Sequence, residues 1–153
     1  MSTVTHPHRP GADPGAARRR AERLWEGYAR TLSARDADAF AELFAPDARF
    51  VVAYPVDGIP PVLEGRDAVR GFIGALAGAV TDVWISDAVV HQTDDPAVAL
   101  VEYRLGVDLP GGRTYRDRLV ARVTFRGEHI AEVLEFYGET AHAQFLRDLG
   151  VIA

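Results

Sequence analysis

The amino-acid sequence predicts an α+β domain in which helices come first and strands follow. Apolar residues recur at three- and four-residue steps through Ala21, Leu24, Trp25, Tyr28, Ala29 and Leu32, the spacing of one helical face. Strict alternation runs from Thr114 to Arg126, where Tyr115, Asp117, Leu119, Ala121, Val123 and Phe125 interleave with mostly basic or polar neighbours, the period of a half-buried strand. Turn-forming clusters such as Thr93-Asp94-Asp95-Pro96, Leu109-Pro110-Gly111-Gly112 and Gly127-Glu128 divide the second half into strand-length runs, and no internal repeat is visible.

The elements follow in order. Residues 1–15 are rich in Pro, Gly, Ser, Thr and His without an apolar period, so they are expected to form a disordered tail, and the domain is placed at 16–153. Helix one starts near Ala16. Asp36 is an N-cap candidate for a short second helix carrying Ala37, Phe40, Ala41 and Phe44, ended by Pro46. Asp47, just before strand one, suits an Asx turn, and Phe50, Val52 and Tyr54 form that strand. The prolines of Tyr54–Pro61 require a loop. A third helix follows Gly65 with Val69, Phe72, Ile73 and Leu76 on one face. Strands are then expected at Asp82–Val90, Val98–Val107, Thr114–Arg126 and His129–Tyr137, with Glu102 and Arg104 reaching the outer-face arginines of the next strand. Thr140 is placed as the cap of a final short helix holding Phe145, Leu146 and Leu149, ended by Gly150.

Composition narrows the function. A chain of 153 residues, 48% hydrophobic and 25% charged, fills one core. A formal charge of -5 with scattered arginines argues against a nucleic-acid surface, and there is no cysteine for disulfides or thiolate metal sites. No apolar run approaches the roughly 20 residues a membrane span needs, and the polar start lacks a signal-peptide core, so a cytoplasmic location is the default expectation. The histidines show no metal-ligand spacing, and no phosphate loop or nucleophile motif supports a nucleotide cofactor or an acyl-enzyme. The expected ligand is a small molecule, with neither metal nor cofactor.

Glu135 poses a register question. A two-residue Gly127-Glu128 loop pairs Phe125 with Ile130, turning Glu135 outward toward Arg118 and Arg122 as an ion-pair residue. A three-residue Arg126-Gly127-Glu128 loop pairs Phe125 with His129, turning Glu135 inward opposite Leu119 as a carboxylate in an apolar pocket. Hydrophobic count slightly favours the first.

Tyr28 through Phe50 (YARTLSARDADAFAELFAPDARF) and Leu63-Glu64-Gly65-Arg66-Asp67 carry a resemblance to the SnoaL-like, ketosteroid isomerase-like (nuclear transport factor 2-like) superfamily, extending from Leu24 to Gly150. Gln92-Thr93-Asp94-Asp95-Pro96, Val101-Glu102, Gly112-Arg113-Thr114-Tyr115, Ile130, Glu135-Phe136 and Leu149-Gly150-Val151 look most like the phenazine-biosynthesis condensing proteins. The resemblance implies a cone-shaped α+β fold: a strongly curved, mostly antiparallel sheet and three N-terminal-half helices enclosing a pocket, with a short C-terminal helix. It also implies a homodimer through the outer sheet face, the three-residue register with its Phe125–His129 pair and inward Glu135, and acid/base work by that carboxylate. Departures accompany it. The isomerase base position falls on Val52 and its acidic oxyanion donor on Ala121, while Tyr28 matches the helix-one tyrosine. Phe72 and Leu76 stand where phenazine-type proteins have a histidine and a serine.

Glu135 is therefore the lead candidate, since desolvation raises a carboxyl toward the working pH. Asp117 on the inner face is a second carboxylate, or a solvated one at the mouth. Tyr28 and Tyr115 are candidates to donate to an oxyanion, or to pack. Tyr54, Phe72, Trp84, Tyr103, Leu119 and Tyr137 are candidate walls for a flat ligand. The expected function is cofactor-independent isomerisation, cyclisation or condensation of a small, largely apolar biosynthetic intermediate in bacterial secondary metabolism. A non-catalytic binding or dimerisation module is the alternative. Epoxide hydrolysis is a lesser one, because Tyr103-Arg104-Leu105 lacks the first aspartate of the Asp-Arg-Asp set.

Overall fold

A computed structural model describes residues 13–55 and 60–150. Helix α1 (Pro14–Ser33) begins before the expected Ala16, for a local reason: Asp13 accepts a hydrogen bond from the Gly15 amide at 2.9 Å and Pro14 stands at the first helical position, where a missing N–H costs nothing. Pro14 and Gly15 thus belong to the helix, and residues 1–12 of the expected tail lie outside the described residues. The stripe Ala17, Ala21, Leu24, Trp25, Tyr28 and Leu32 is buried, as its spacing requires.

Helix α2 (Ala37–Glu42) is capped by Asp36, whose side chain accepts from the Ala39 amide at 2.9 Å. It ends earlier than expected. Phe44 is the first residue of β1 (Phe44–Val52), which takes in Pro46 and Asp47, and Asp47 accepts from Arg126 at 2.8 Å. Proline is tolerated there because the parallel ladder between β1 and the last strand is interrupted from Phe44 to Arg49. A short β2 (Val62–Glu64), missed in the sequence, pairs with β1 and leads to α3 (Arg66–Ala79). Gly65 makes the sharp entry to α3 at φ 88°, a region that favours glycine.

The remaining elements are β3 (Asp82–Gln92), β4 (Val98–Asp108), β5 (Thr114–Arg126), β6 (His129–Phe136) and α4 (Glu139–Asp148). Gly138, not Thr140, is the N-cap of α4. The six strands form one curled, open sheet in the order β2-β1-β6-β5-β4-β3, antiparallel except for β1 beside β6. Its concave face carries Ala99, Val101, Tyr103, Leu119, Ala121, Val123, Phe125 and Val133, all buried under α1, α2 and α3. Each large apolar side chain there stabilises the fold by roughly 1.5–3 kcal/mol through removal from water. The outer face is polar, but its ion pairs differ from expectation: Arg104 pairs with Asp87 at 3.3 Å and Glu102 lies 3.7 Å from His91, both partners on β3.

Two bulges shape the sheet around its centre. In β3 the register shifts between Ser86 and Val89, opposite the stretch of β4 holding Tyr103, and Asp87 takes φ 52°. In β6 the register shifts beside Phe125: Phe125 pairs with Ile130, yet Thr124 pairs with Glu132, so Ala131 is the extra residue. A bulge bends its strand and increases the local twist, which curls the sheet around α1.

The second bulge resolves the register question in a way neither expected pairing allowed. The turn is the two-residue one, with Gly127 at φ 60° as a type II′ turn needs in its first loop position. The extra residue then reverses the facing of everything beyond it, and Glu135 lies opposite Ala121 on the concave side rather than opposite Leu119. Glu132, not Glu135, meets Arg122, at 3.3 Å.

Candidate functional site

Glu135 sits near the end of β6 between β1, where Val52 is its partner, and β5, where Ala121 is. Its backbone is fixed on the β1 side by the Ala53 amide, which donates to the Glu135 carbonyl at 3.0 Å. Its side chain points to the concave face, enclosed on nearly all sides yet retaining some accessible surface. Tyr103 donates its hydroxyl proton to Glu135 Oε1 from β4, across the strand on which Ala121 contributes only a methyl group.

Tyr103 belongs to an aromatic wedge. Trp25 stacks on Tyr28 at 4.4 Å between ring centroids and tilts against Tyr103 at 4.9 Å, and Tyr28 packs on Phe40 at 4.7 Å. These contacts fix the rings of Tyr28 and Tyr103, both almost wholly buried. Tyr28 lies within the electrostatic reach of Glu135: burial, then the charge of Glu135, raises its pKa well above the usual phenol value. The same two causes, in that order, raise Tyr103.

Burial pushes the Glu135 carboxyl up to about 7; the Tyr103 hydrogen bond pulls downward, and the charge of Asp117 adds to the rise. Replacing Tyr103 by Phe removes the one downward cause. We expect Y103F to move the Glu135 titration above pH 7, read by carboxyl carbon-13 NMR; an unchanged or lower midpoint would show that this bond does not govern the carboxyl.

Asp117 lies on the same face of β5, farther toward the open end. Its Oδ2 accepts from the Tyr115 hydroxyl at 2.9 Å and from the Gly138 amide at 3.3 Å, and its Oδ1 accepts from the Arg118 amide at 2.8 Å. Burial, followed by the Asp117 hydrogen bond, raises Tyr115 strongly. Helix α4 covers this end: Phe145 stacks on Tyr115 at 4.5 Å and His142 on Tyr137 at 3.7 Å. Tyr137, pushed up to about 12 chiefly by burial, donates to the Tyr54 carbonyl at 3.2 Å.

The packing of His142 has a pH consequence. Burial lowers it to about 4, against a smaller upward pull from Asp117. The folded state therefore prefers neutral imidazole, so the stability His142 contributes is complete above about pH 6.5 and is lost as pH falls toward 4. H142F should flatten this acid loss, measured as the difference in Tm between pH 7 and pH 4.5 relative to the unaltered chain.

Four of the expected wall residues do border this region or its rim: Tyr103 and Leu119 are buried on the concave face, Tyr137 is buried beside α4, and Tyr54 reaches the rim through its carbonyl while its side chain is 51% exposed. Two do not. Phe72 points away from the buried Val69 and Ile73 of α3 and is 43% exposed. Trp84 lies on the outer face over Gly106, where a Cβ would come within 2.2 Å of its ring, with the Arg116 guanidinium 6.0 Å above. Glycine at 106 is what admits the indole, and that outward packing is why an aromatic residue on β3 misled the expectation. A groove of about 580 Å³ runs along Trp84, Ser86, Arg104, Arg116 and Arg118 and takes in Leu105 and Asp117, and another of about 390 Å³ lies between α4 and the β4–β5 turn and takes in Tyr115 and Phe145; neither contains Glu135.

Trp25 and His142 were not foreseen as part of the site. The spacing of Trp25 places it only in the apolar stripe of α1. The signal for His142 was its three-residue spacing from Phe145, which places both on one face of α4. Among the described residues no group of His, Asp and Glu is placed to hold a metal ion, and no helix is long and apolar enough to cross a membrane.

The family model for the SnoaL-like domain matches residues 25–133. Solved structures share the fold. A Bacillus subtilis protein named as a candidate isomerase superposes with a TM-score of 0.78 at 15% identity, covering 92% of this chain and 98% of that one. The BvnE pinacolase of Penicillium brevicompactum gives 0.75 at 15% identity, covering 89% and 94%. A phenazine biosynthesis-related protein of Pseudomonas aeruginosa gives 0.72 at 22% identity, covering 95% and 90%. At the sequence level no curated protein matches the chain.

Proposed function

We propose that this chain, which belongs to the SnoaL-like domain family, is a cofactor-independent enzyme that moves a proton on a small, largely apolar biosynthetic intermediate, with Glu135 as the group that carries it. The observation behind this is the Tyr103–Glu135 pair: a carboxyl beside an aromatic wedge, poised near neutrality, on a residue that is only partly buried. A group that titrates near the working pH serves as base in one step and acid in the next.

In this reading Tyr28 donates to a substrate carbonyl as negative charge develops on its oxygen, while Glu135 takes a proton from the adjacent carbon and returns it elsewhere. Tyr103 is a positioning residue that orients the carboxyl. Asp117 and Tyr115 form a second donor-acceptor pair toward α4, and Leu119 and Tyr137 shape the floor and rim. Isomerisation, cyclisation and condensation all use this step, and solved structures named as a candidate polyketide cyclase and as a pinacolase are consistent with such chemistry. Arg104 turns outward to Asp87, which leaves the concave face without the arginine of an epoxide-hydrolase set. The setting is bacterial secondary metabolism in the cytoplasm. The outer sheet face, where Val89 and Leu100 stand exposed, is the surface for a homodimer.

The test is proton exchange, which needs no knowledge of the natural substrate. Neutral bicyclic and tricyclic ketones incubated in heavy water should exchange α-hydrogens faster with the protein than with buffer, read by mass spectrometry. No acceleration across the panel, or equal acceleration by E135Q, would overturn the reading.

A further inference from the structure

The concave site is one-sided in charge. Its two ionisable acids are Glu135 on β6 and Asp117 on β5, and Asp117 raises the Glu135 carboxyl while no arginine lowers it. The chain has 17 basic residues, all arginine. Those whose contacts are defined are engaged elsewhere: Arg104, Arg122 and Arg126 in ion pairs on the outer face, Arg113 with Asp148 at the α4 end, Arg116 over Trp84, and Arg35 and Arg66 on the carbonyls of Val80 and Phe44. The other titratable groups that face Glu135 are Tyr28 of α1, Tyr103 of β4, Tyr115 of β5 and Tyr137 after β6, all held protonated by burial. His142 of α4 faces Asp117, and its packing favours the uncharged ring. Among the described residues, therefore, no arginine acts on Glu135, whereas Asp117 also borders the groove lined by Arg104, Arg116 and Arg118.

We infer that the site selects its ligand by charge, taking molecules that are neutral or carry a protonated nitrogen and refusing carboxylates and phosphates of the same shape. This rests on the reading of the concave face as the substrate site and adds the substrate class to it. An anion bound beside this face would approach the carboxylates of Glu135 and Asp117, and like charges repel more strongly the less water lies between them. A cation would be held by the carboxylate form of Glu135. An opposite charge at close range shifts a carboxyl by about one to three pH units, and reciprocity makes the cation bind about ten- to a thousand-fold more tightly to the carboxylate than to the carboxylic acid. Affinity for a cation thus rises through neutral pH, and affinity for an anion falls.

Three probes of one shape test this: naphthylmethylamine, naphthylmethanol and 1-naphthoate, titrated calorimetrically into the full chain at pH 5.5 and pH 8.5. The amine and the alcohol should bind at pH 8.5, with the carboxylate at least about ten-fold weaker than the alcohol, since one like-charge contact of a single pH unit is a factor of ten. The amine should tighten and the carboxylate weaken on going from pH 5.5 to pH 8.5, and E135Q should remove most of that pH dependence. Naphthoate binding as well as the alcohol at pH 8.5, or no binding by any of the three at millimolar concentration, would overturn the inference. Its failure is separable from failure of the proton-transfer reading. Equal binding of the three probes with exchange lost in E135Q refutes charge selection alone, whereas the expected ranking with exchange retained in E135Q refutes only the catalytic role.

Discussion

Glu135→Gln is expected to lower catalysed α-hydrogen exchange by about 10²- to 10⁴-fold, the range a positioned general base contributes. The substitution is nearly isosteric, and the amide oxygen still accepts from Tyr103, so the aromatic wedge of Trp25, Tyr28 and Tyr103 keeps its geometry. What is lost is the capacity to hold a proton reversibly. In the unaltered chain the base is the carboxylate, so the exchange rate should climb with pH to a plateau, with a midpoint at the Glu135 value of about 7. Rate measurements from pH 5 to 9 check both the depth of the loss and the midpoint. A structural role for Glu135 would instead lower thermal stability along with activity, and the next expectation has the opposite sign.

The same substitution should stabilise the fold at neutral and alkaline pH. Glu135 is raised in the folded state from 4.5 to about 7, so folding favours its protonated form. The stability associated with that proton is complete below about pH 4.5, declines as pH rises, and is gone above about 7. At about 1.4 kcal/mol per pH unit, the whole loss is on the order of 3 kcal/mol. Glutamine has no proton to lose. E135Q should thus match the unaltered chain near pH 4 and exceed it by up to about 3 kcal/mol at pH 8, measured by urea unfolding at each pH. A variant that loses turnover while gaining stability marks a carboxyl kept for chemistry rather than for folding.

The sequence disclosed more of the scaffold than of the site, and particular residues show why. Helix α1 and strand β5 were readable because their apolar periods extend over many residues and tolerate no other burial. The start of α1 and the end of α2 moved because caps act within two or three residues: Asp13 and Pro14 start the helix that composition assigned to a tail, and Phe44 opens a strand. Phe72 and Trp84 were apolar residues of the right kind on the wrong faces, and only packing tells which side of a short helix or a bulged strand is buried.

Glu135 illustrates a sharper limit. Reading the hairpin as an unbroken ladder made its inward position incompatible with a Phe125–Ile130 pair, yet both occur, because one bulged residue at Ala131 changes the facing of all that follows. Nothing in the composition of Ile130-Ala131-Glu132 announces a bulge. The two faces of β6 do: Val133, Glu135 and Tyr137 inward place two buried residues on the core side and free Glu132 for Arg49 and Arg122, at 3.1 and 3.3 Å. The family match ends at residue 133, so Glu135 lies just beyond the matched span.

The central claim is that Glu135 is a desolvated carboxyl on the concave face, and its own titration measures this most directly. With glutamate labelled at the side-chain carboxyl carbon and the Glu135 resonance assigned by its absence from E135Q, a midpoint near 7 is expected. A midpoint near the ordinary 4.5 would place the carboxyl in water and contradict the claim.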